Sequence, residues 1–386
     1  MIDLPEPDAD ARAHSARVGD ALRAAIAAGG GQVPFARYMD LALYAPGLGY
    51  YASGAKKLGA AGDFVTAPEM TPLFATALAT QVAAILAATG RRELVELGGG
   101  SGRLAADLLT ALAARDALPS CYAILEVSPD LAERQRATLA RDAAAHLDRV
   151  VWIEALPAAI DGVLIANEVL DAIPVQLVAR RDGKYGERGV AWDGARQKFA
   201  WTERPADARL AALAAARFPQ GGDYLSEINS AAEALVEDIG RRLVAGAALF
   251  IDYGFPAAEY YHPQRSEGTL MCHYRHRAHG DPFVWPGLTD ITAHVDFTAM
   301  AEAGERAALH VAGFAAQAPF LLGCGILEAL AATGPPESLT YIRAAASVQK
   351  LLAPSEMGEL IKVLALAKSE TIAWPGFALA DRRHRL

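Results

Sequence analysis

From residue 93 to residue 167, and again from 226 to 254, the chain repeats one pattern, in which short apolar runs alternate with stretches of helical spacing. "ELVEL" (93–97) leads into "RLAADLLTALAA", and "YAILEV" (122–127) leads into "SPDLAERQRATLARDAAAHL". Two further runs, "VVWI" (150–153) and "GVLIAN" (162–167), continue the series. Strands this short and apolar, with helices between them, predict parallel pairing with both sheet faces covered, an α/β fold of Rossmann-like type. Ser128 and Pro129 supply a cap and a first-turn proline for the second helix. A helix over 226–246, ended by Gly246, and a fifth strand at "AALFIDYG" (247–254) are expected next.

The connection after the first strand narrows the function. "VELGGGSGRL" (95–104) places Gly98, Gly99, Gly100 and Gly102 in a single turn. That many glycines cost backbone entropy, so the space they leave should be used. The dinucleotide fingerprint fails, because Arg103 stands where its third glycine belongs. The spacing present, Glu96-x-Gly98-x-Gly100-x-Gly102, looks like motif I of the class I S-adenosylmethionine (SAM) methyltransferases. SAM has no pyrophosphate; its ammonium group suits a nearby carboxylate. Glu126, at the end of the next strand, is placed to accept hydrogen bonds from ribose hydroxyls. The competing readings are a tight strand–helix turn without a ligand, and a surface carboxylate beside a helix start.

After the fourth strand the chain reads "IANEVLDAIPVQ" (165–176), grouping Asn167, Glu168 and Asp171 at the sheet edge where chemistry is expected. The Asn-Pro-Pro-aromatic signature of base amino-methyltransferases is absent, since Glu168 and Val169 occupy its proline positions. A Glu just after this strand resembles the position with which protein arginine methyltransferases grip the guanidinium. A carboxylate paired with that delocalised cation can gather its charge on some nitrogens and leave another aligned with the methyl group. Glu168 is the first candidate for this catalytic role and Asp171 the second; both can instead cap the following helix.

Taken in order, "FARYMDLALYAPGLGYY" (35–51), "GDFVTAPEM" (62–70), "ELGGGSGRLAADLL" (96–109), "LEVSPDLAERQ" (125–135), "NEVLDAIPV" (167–175), "FIDYG" (250–254), "DITAHVDF" (290–297) and "MGELIKVLALAK" (357–368) resemble the MidA-like methyltransferases, the DUF185 family. The resemblance implies a class I methyltransferase core, S-adenosyl-L-methionine as cofactor, and a protein substrate carrying the target arginine. In the mitochondrial members that substrate is a subunit of respiratory complex I. Gly99 stands where many relatives carry proline, which leaves the spacing intact. The resemblance also implies that "GDFVTAPEM" folds over the cofactor pocket, with Thr66 and Glu69 as cofactor contacts; Asp63 or Glu69 can equally brace the loop.

The expected organisation is a helical N-terminal region over 1–90 and a core over 91–254 with a β-hairpin insertion at about 175–225. An irregular, Pro-, His- and Tyr-rich substrate-flanking arm over 255–295 and the last part of the core over 296–386 complete it. The insertion should turn at Asp182-Gly183 and Asp193-Gly194. A net charge of -9 argues against a surface built to hold nucleic acid. Cys121, Cys272 and Cys324 are isolated and odd in number, which suits a reducing compartment. The acidic N-terminus "MIDLPEPDADARAHS" suits neither a signal nor a transit peptide, so a cytoplasmic location is expected. Met70–Gly90 lacks charge, but its threonines and Gln81 favour a buried helix over a membrane span. Cys272, His273, His276 and His279 lie close in sequence without a closed four-ligand spacing, so no metal is assigned. Two other functions remain open on these residues: methylation of a small molecule or RNA, and a SAM-binding assembly chaperone without essential catalysis.

Overall fold

The computed structural model describes residues 4–53, 66–90, 93–369 and 371–386. Asp63, with the rest of 62–65 at the start of the loop expected over the cofactor, lies outside the described residues. The chain divides into two compact units, each gathered from three stretches. The first comprises Met1–Phe64, Asp171–Glu233 and Pro256–Asp296; the second comprises Val65–Leu170, Ala234–Phe255 and Phe297–Leu386.

The second unit is built on a path of seven strands: β1 (Glu93–Leu97), β2 (Cys121–Leu125), β3 (Val150–Ile153), β4 (Ile160–Asn167), β5 (Leu243–Phe255), β6 (His310–Ala316) and β7 (Ile361–Ala367). Their order is β3-β2-β1-β4-β5-β7-β6. The first five pair in parallel, whereas β7 runs antiparallel between β5 and β6. This is the α/β sheet expected from the strand–helix rhythm. Helices Leu73–Thr89 and Arg103–Ala113 bury apolar side chains in its core, among them Phe74, Leu78, Val82, Leu104 and Leu108. The uncharged stretch is thus a packed helix: Leu73 N–H donates to Thr71 Oγ1 (3.3 Å), and Gly90 ends it at φ +62°. Gln81 is fully buried but satisfied, donating to Ala373 O (3.1 Å) and accepting from Gly376 N–H (3.2 Å). Among the described residues no helix is long and apolar enough to cross a membrane.

One expected element is replaced. Instead of a helix over 226–246, Tyr224–Ile228 is a strand, the helix runs Ser230–Arg242, and β5 begins at Leu243. Gly246 lies inside β5, not at a helix end. A Cβ there would come within 1.7 Å of Gly162 O on β4, so the glycine serves a close strand approach.

The first unit holds a five-stranded antiparallel sheet of Gln32–Pro34, Gln176–Arg181, Lys184–Asp193, Lys198–Pro205 and Tyr224–Ile228. The hairpins turn at Asp182-Gly183 and after Asp193, as their sequence predicts. Its core collects Phe35, Tyr38, Tyr50, Val190 and Cys272. Residues 255–295 are not irregular throughout. Met271–Tyr274, Arg277–His279 and Asp290–Thr292 form a small antiparallel sheet. Its hairpin turns on Arg275 (φ +46°) and His276 (φ +61°), residues without a turn signal.

Candidate active site

β1 delivers the chain to the glycine turn, which Gly102 N–H closes onto Gly99 O (2.8 Å). Gly98, Gly100 and Gly102 hold φ of +63°, +52° and +82°. Gly102 caps helix Arg103–Ala113, and a Cβ on it would fall 2.9 Å from Gln135 Cα. Left-handed backbone and close packing therefore explain Gly102 without a ligand. The turn nevertheless leads into a helix N-terminus at the carboxyl edge of the sheet, the place where open α/β sheets take ligands.

The carboxylates differ in what holds them. Glu126 follows β2 and is half-buried. Its Oε1 accepts Ser128 N–H and its Oε2 accepts Gln135 Nε2–H, both at 2.9 Å. Burial raises its pKa, and the bonds from Ser128 and Gln135 oppose that rise. An oriented carboxylate with lone pairs to spare fits a vicinal diol. Next to it Val127 is 67% exposed, an apolar surface that a flat base can cover. Glu96, by contrast, is only 2% exposed and accepts Tyr122 Oη–H (2.8 Å). Burial, partly offset by that bond, pushes its carboxyl up to about 7. Thr66 precedes the short helix Ala67–Met70 and makes no side-chain cap. Glu69, on that helix, accepts the hydroxyl of Ser101, which brings it to the glycine turn.

At the end of β4, Asn167 Oδ1 is buried without a hydrogen-bond partner, while Nδ2 lies 3.4 Å from Glu168 Oε1. An orphaned acceptor in a native site calls for a donor that binding would bring. Glu168 itself sits at φ +51°, a region that non-glycine residues rarely occupy. Its N–H donates to Ile251 O on β5 (2.8 Å). The following amides of Val169 and Leu170 donate to Asp252 Oδ2 at 3.1 and 2.8 Å, and Tyr253 N–H donates to Oδ1 at 2.8 Å. Asp252, 1% exposed, thus anchors the turn at the start of the Leu170–Ala172 helix. Sequence reasoning missed it, although "FIDYG" contains it. Asp171 falls in the first unit, where its carbonyl accepts Ala293 N–H (2.9 Å).

The histidine-rich segment contributes no ligand set. Among the described residues no group of three or more His, Cys, Asp or Glu side chains is placed to hold a metal ion. Cys272 and His279 are buried partners on adjacent strands, where burial raises the thiol pKa and lowers that of the imidazole.

Residues 77–315, well over half of the chain, match the family described as "Putative S-adenosyl-L-methionine-dependent methyltransferase". The chain belongs to this methyltransferase family. Its fold matches a COG1565 superfamily member from Burkholderia thailandensis bound to S-adenosyl-homocysteine (SAH), at TM-score 0.95 and 50% identity with both chains fully covered. Among curated relatives, the "Protein arginine methyltransferase NDUFAF7 homolog, mitochondrial" of Drosophila melanogaster is 31% identical over 94% of this chain and 87% of its own. The corresponding Danio rerio protein is 28% identical over 89% and 85%. The protein is therefore a SAM-dependent methyltransferase with the class of sheet, the cofactor and the family that its motifs led one to expect.

Proposed function

We propose that this methyltransferase acts on an arginine of a partner protein and that Glu168 holds the guanidinium. The observation that carries the reading is the turn after β4. Asp252 takes the amides of Val169 and Leu170, and Ile251 O takes that of Glu168. The strained backbone at Glu168 is thereby kept in place by its neighbours, as functional residues often are. The names of the curated relatives point the same way. Asp171 is the second candidate for the grip.

Bound SAM supplies an electrophilic methyl group on a sulfonium. In this reading the glycine turn of Gly98, Gly99, Gly100 and Gly102 lets the backbone approach that cofactor. Glu126 accepts the ribose hydroxyls, Glu96 favours the ammonium group through space, and Asn167 offers its unpaired oxygen. Glu69 reaches the same turn through Ser101, and Thr66, just before its helix, is the further candidate contact. Glu168 then pairs with the incoming guanidinium and orients one nitrogen for attack. The three unbridged cysteines suit a reducing compartment such as the cytoplasm.

The test is to incubate the protein and isotopically labelled SAM with lysate from cells lacking the gene, then search for the labelled peptide. A single modified arginine is the expected product. Glu168→Gln should lower its formation on the order of 100-fold, the scale for losing one aimed electrostatic group, while SAH still binds. Label in RNA or a small metabolite would discard the arginine reading. No label, with tight SAH binding, would favour an assembly role.

A further inference from the structure

Gln135 lies on the helix Pro129–Asp142 and is fully buried. A buried amide is costly unless its polar atoms are paired, and here they are. Nε2 donates to Gly100 O (3.1 Å) and to Glu126 Oε2 (2.9 Å), while Oε1 accepts Trp152 Nε1–H (2.9 Å) from β3. An indole nitrogen can only donate, and a backbone carbonyl can only accept. The amide therefore has one workable orientation, with its oxygen toward Trp152 and its nitrogen toward the glycine turn and Glu126. The indole is held in turn by the Arg136 guanidinium, 4.4 Å from its ring centre. Packing alone would be served by leucine. The amide is needed only to tie together a glycine turn, a carboxylate and an indole from three separate strand ends.

We infer that Gln135 is a positioning residue for the cofactor. It fixes the Glu126 carboxylate in the rotamer that meets a vicinal diol and locks that rotamer to the glycine turn. This rests on the assignment of Glu126 to the ribose. In this proposal Gln135 acts through Glu126, the side chain it donates to. Without the amide, Glu126 keeps only backbone bonds, from Ser128 and Val127, and loses its one side-chain link to the glycine turn. Selectivity for the ribose hydroxyls should then fade before cofactor binding as a whole is lost.

The experiment is calorimetric titration of the full chain with SAH and with its 2′-deoxy analogue, for the wild type, Gln135→Leu, Trp152→Phe and Glu126→Ala. The wild type should bind the deoxy analogue about 10- to 100-fold more weakly, the scale for hydrogen bonds to a charged group. In Gln135→Leu that ratio should shrink to a few-fold, chiefly because SAH binding weakens. Trp152→Phe leaves the amide in place but frees it to turn, and should give an intermediate ratio. If Gln135→Leu fails to fold, the Trp152→Phe ratio decides. Adding Gln135→Leu to Glu126→Ala should cost little more, since the two act as one unit. An undiminished ratio in the folded variants overturns the role of Gln135. A wild type that binds both ligands equally overturns the Glu126 assignment itself, which is a separate result.

Discussion

Glu96 lies on β1 and Glu126 just after the neighbouring β2; burial raises the cost of charging Glu96, the Tyr122 hydroxyl offsets part of it, and the nearby Glu126 adds to it. The folded-state value of about 7 exceeds the ordinary 4.5 of an unfolded glutamate. Below pH 4.5 the group is protonated in both states and costs nothing. Between 4.5 and 7 only the folded protein keeps the proton, so stability falls as pH rises. Above 7 the full deficit persists. Glu96→Gln retains an acceptor for Tyr122 and removes the charge. In the absence of cofactor it should match the wild type near pH 4 and exceed its stability by up to about 3 kcal/mol at pH 8. Urea melts at the two pH values check this; an equal gain at both would mean that burial of the charge is not the cause. At this scale the sequence marked Glu96 by its spacing to the glycines, and Glu126 and Glu168 because each follows a strand. It left Gln135 and Asp252 unmarked, because their partners lie on other elements.

The turn after β4 depends on β5 for its shape. Residues 168–170 present three successive amides, and all three are taken by Ile251 or Asp252. Asp252→Asn keeps an acceptor for part of this set but sets an N–H donor against another. It should lower methyl transfer about 10-fold or more while SAH affinity stays within about threefold, because the glycine turn and Glu126 do not depend on it. Steady-state rates beside calorimetry separate the two effects, and parallel losses would place Asp252 in cofactor binding. Element boundaries were legible where an apolar run is short and isolated: β1 and β3 occupy the expected residues. They were not legible at Gly246, which resembles a helix stop but serves a strand contact, nor at the Arg275-His276 hairpin. The helices Gln317–Gly323, Ile326–Ala331 and Leu339–Leu352 went unassigned; the first two are too short for a clear period and are separated by Cys324 and Gly325 (φ +83°).

Across the whole molecule, chain order and spatial order part ways. Each unit is assembled from three stretches, and the last strand of the chain, β7, enters the sheet between β5 and β6 with all of its residues buried. Removing residues 353–386 would leave both neighbours with an open, apolar edge, a template for aggregation. The shortened chain should be insoluble or sediment as aggregates and lose SAH binding. Sedimentation and far-UV circular dichroism test this, and a soluble, SAH-binding fragment would mean that β7 adds little to the sheet.

Local pattern carries what depends on near neighbours: the parallel strands, the glycine turn, the Asp182-Gly183 hairpin and the acidic residues at strand ends. Each is written within about 20 residues, where backbone preference and hydrophobic period act directly. Tertiary packing decided the rest: that Asp252 anchors the turn of Glu168, that Gln135 joins Gly100, Glu126 and Trp152, and that β7 takes an interior place. Those pairings join side chains and backbone that belong to different elements, and no local propensity encodes them. They exist because a buried polar group must find a partner, and the partner is whatever the folded sheet brings within reach.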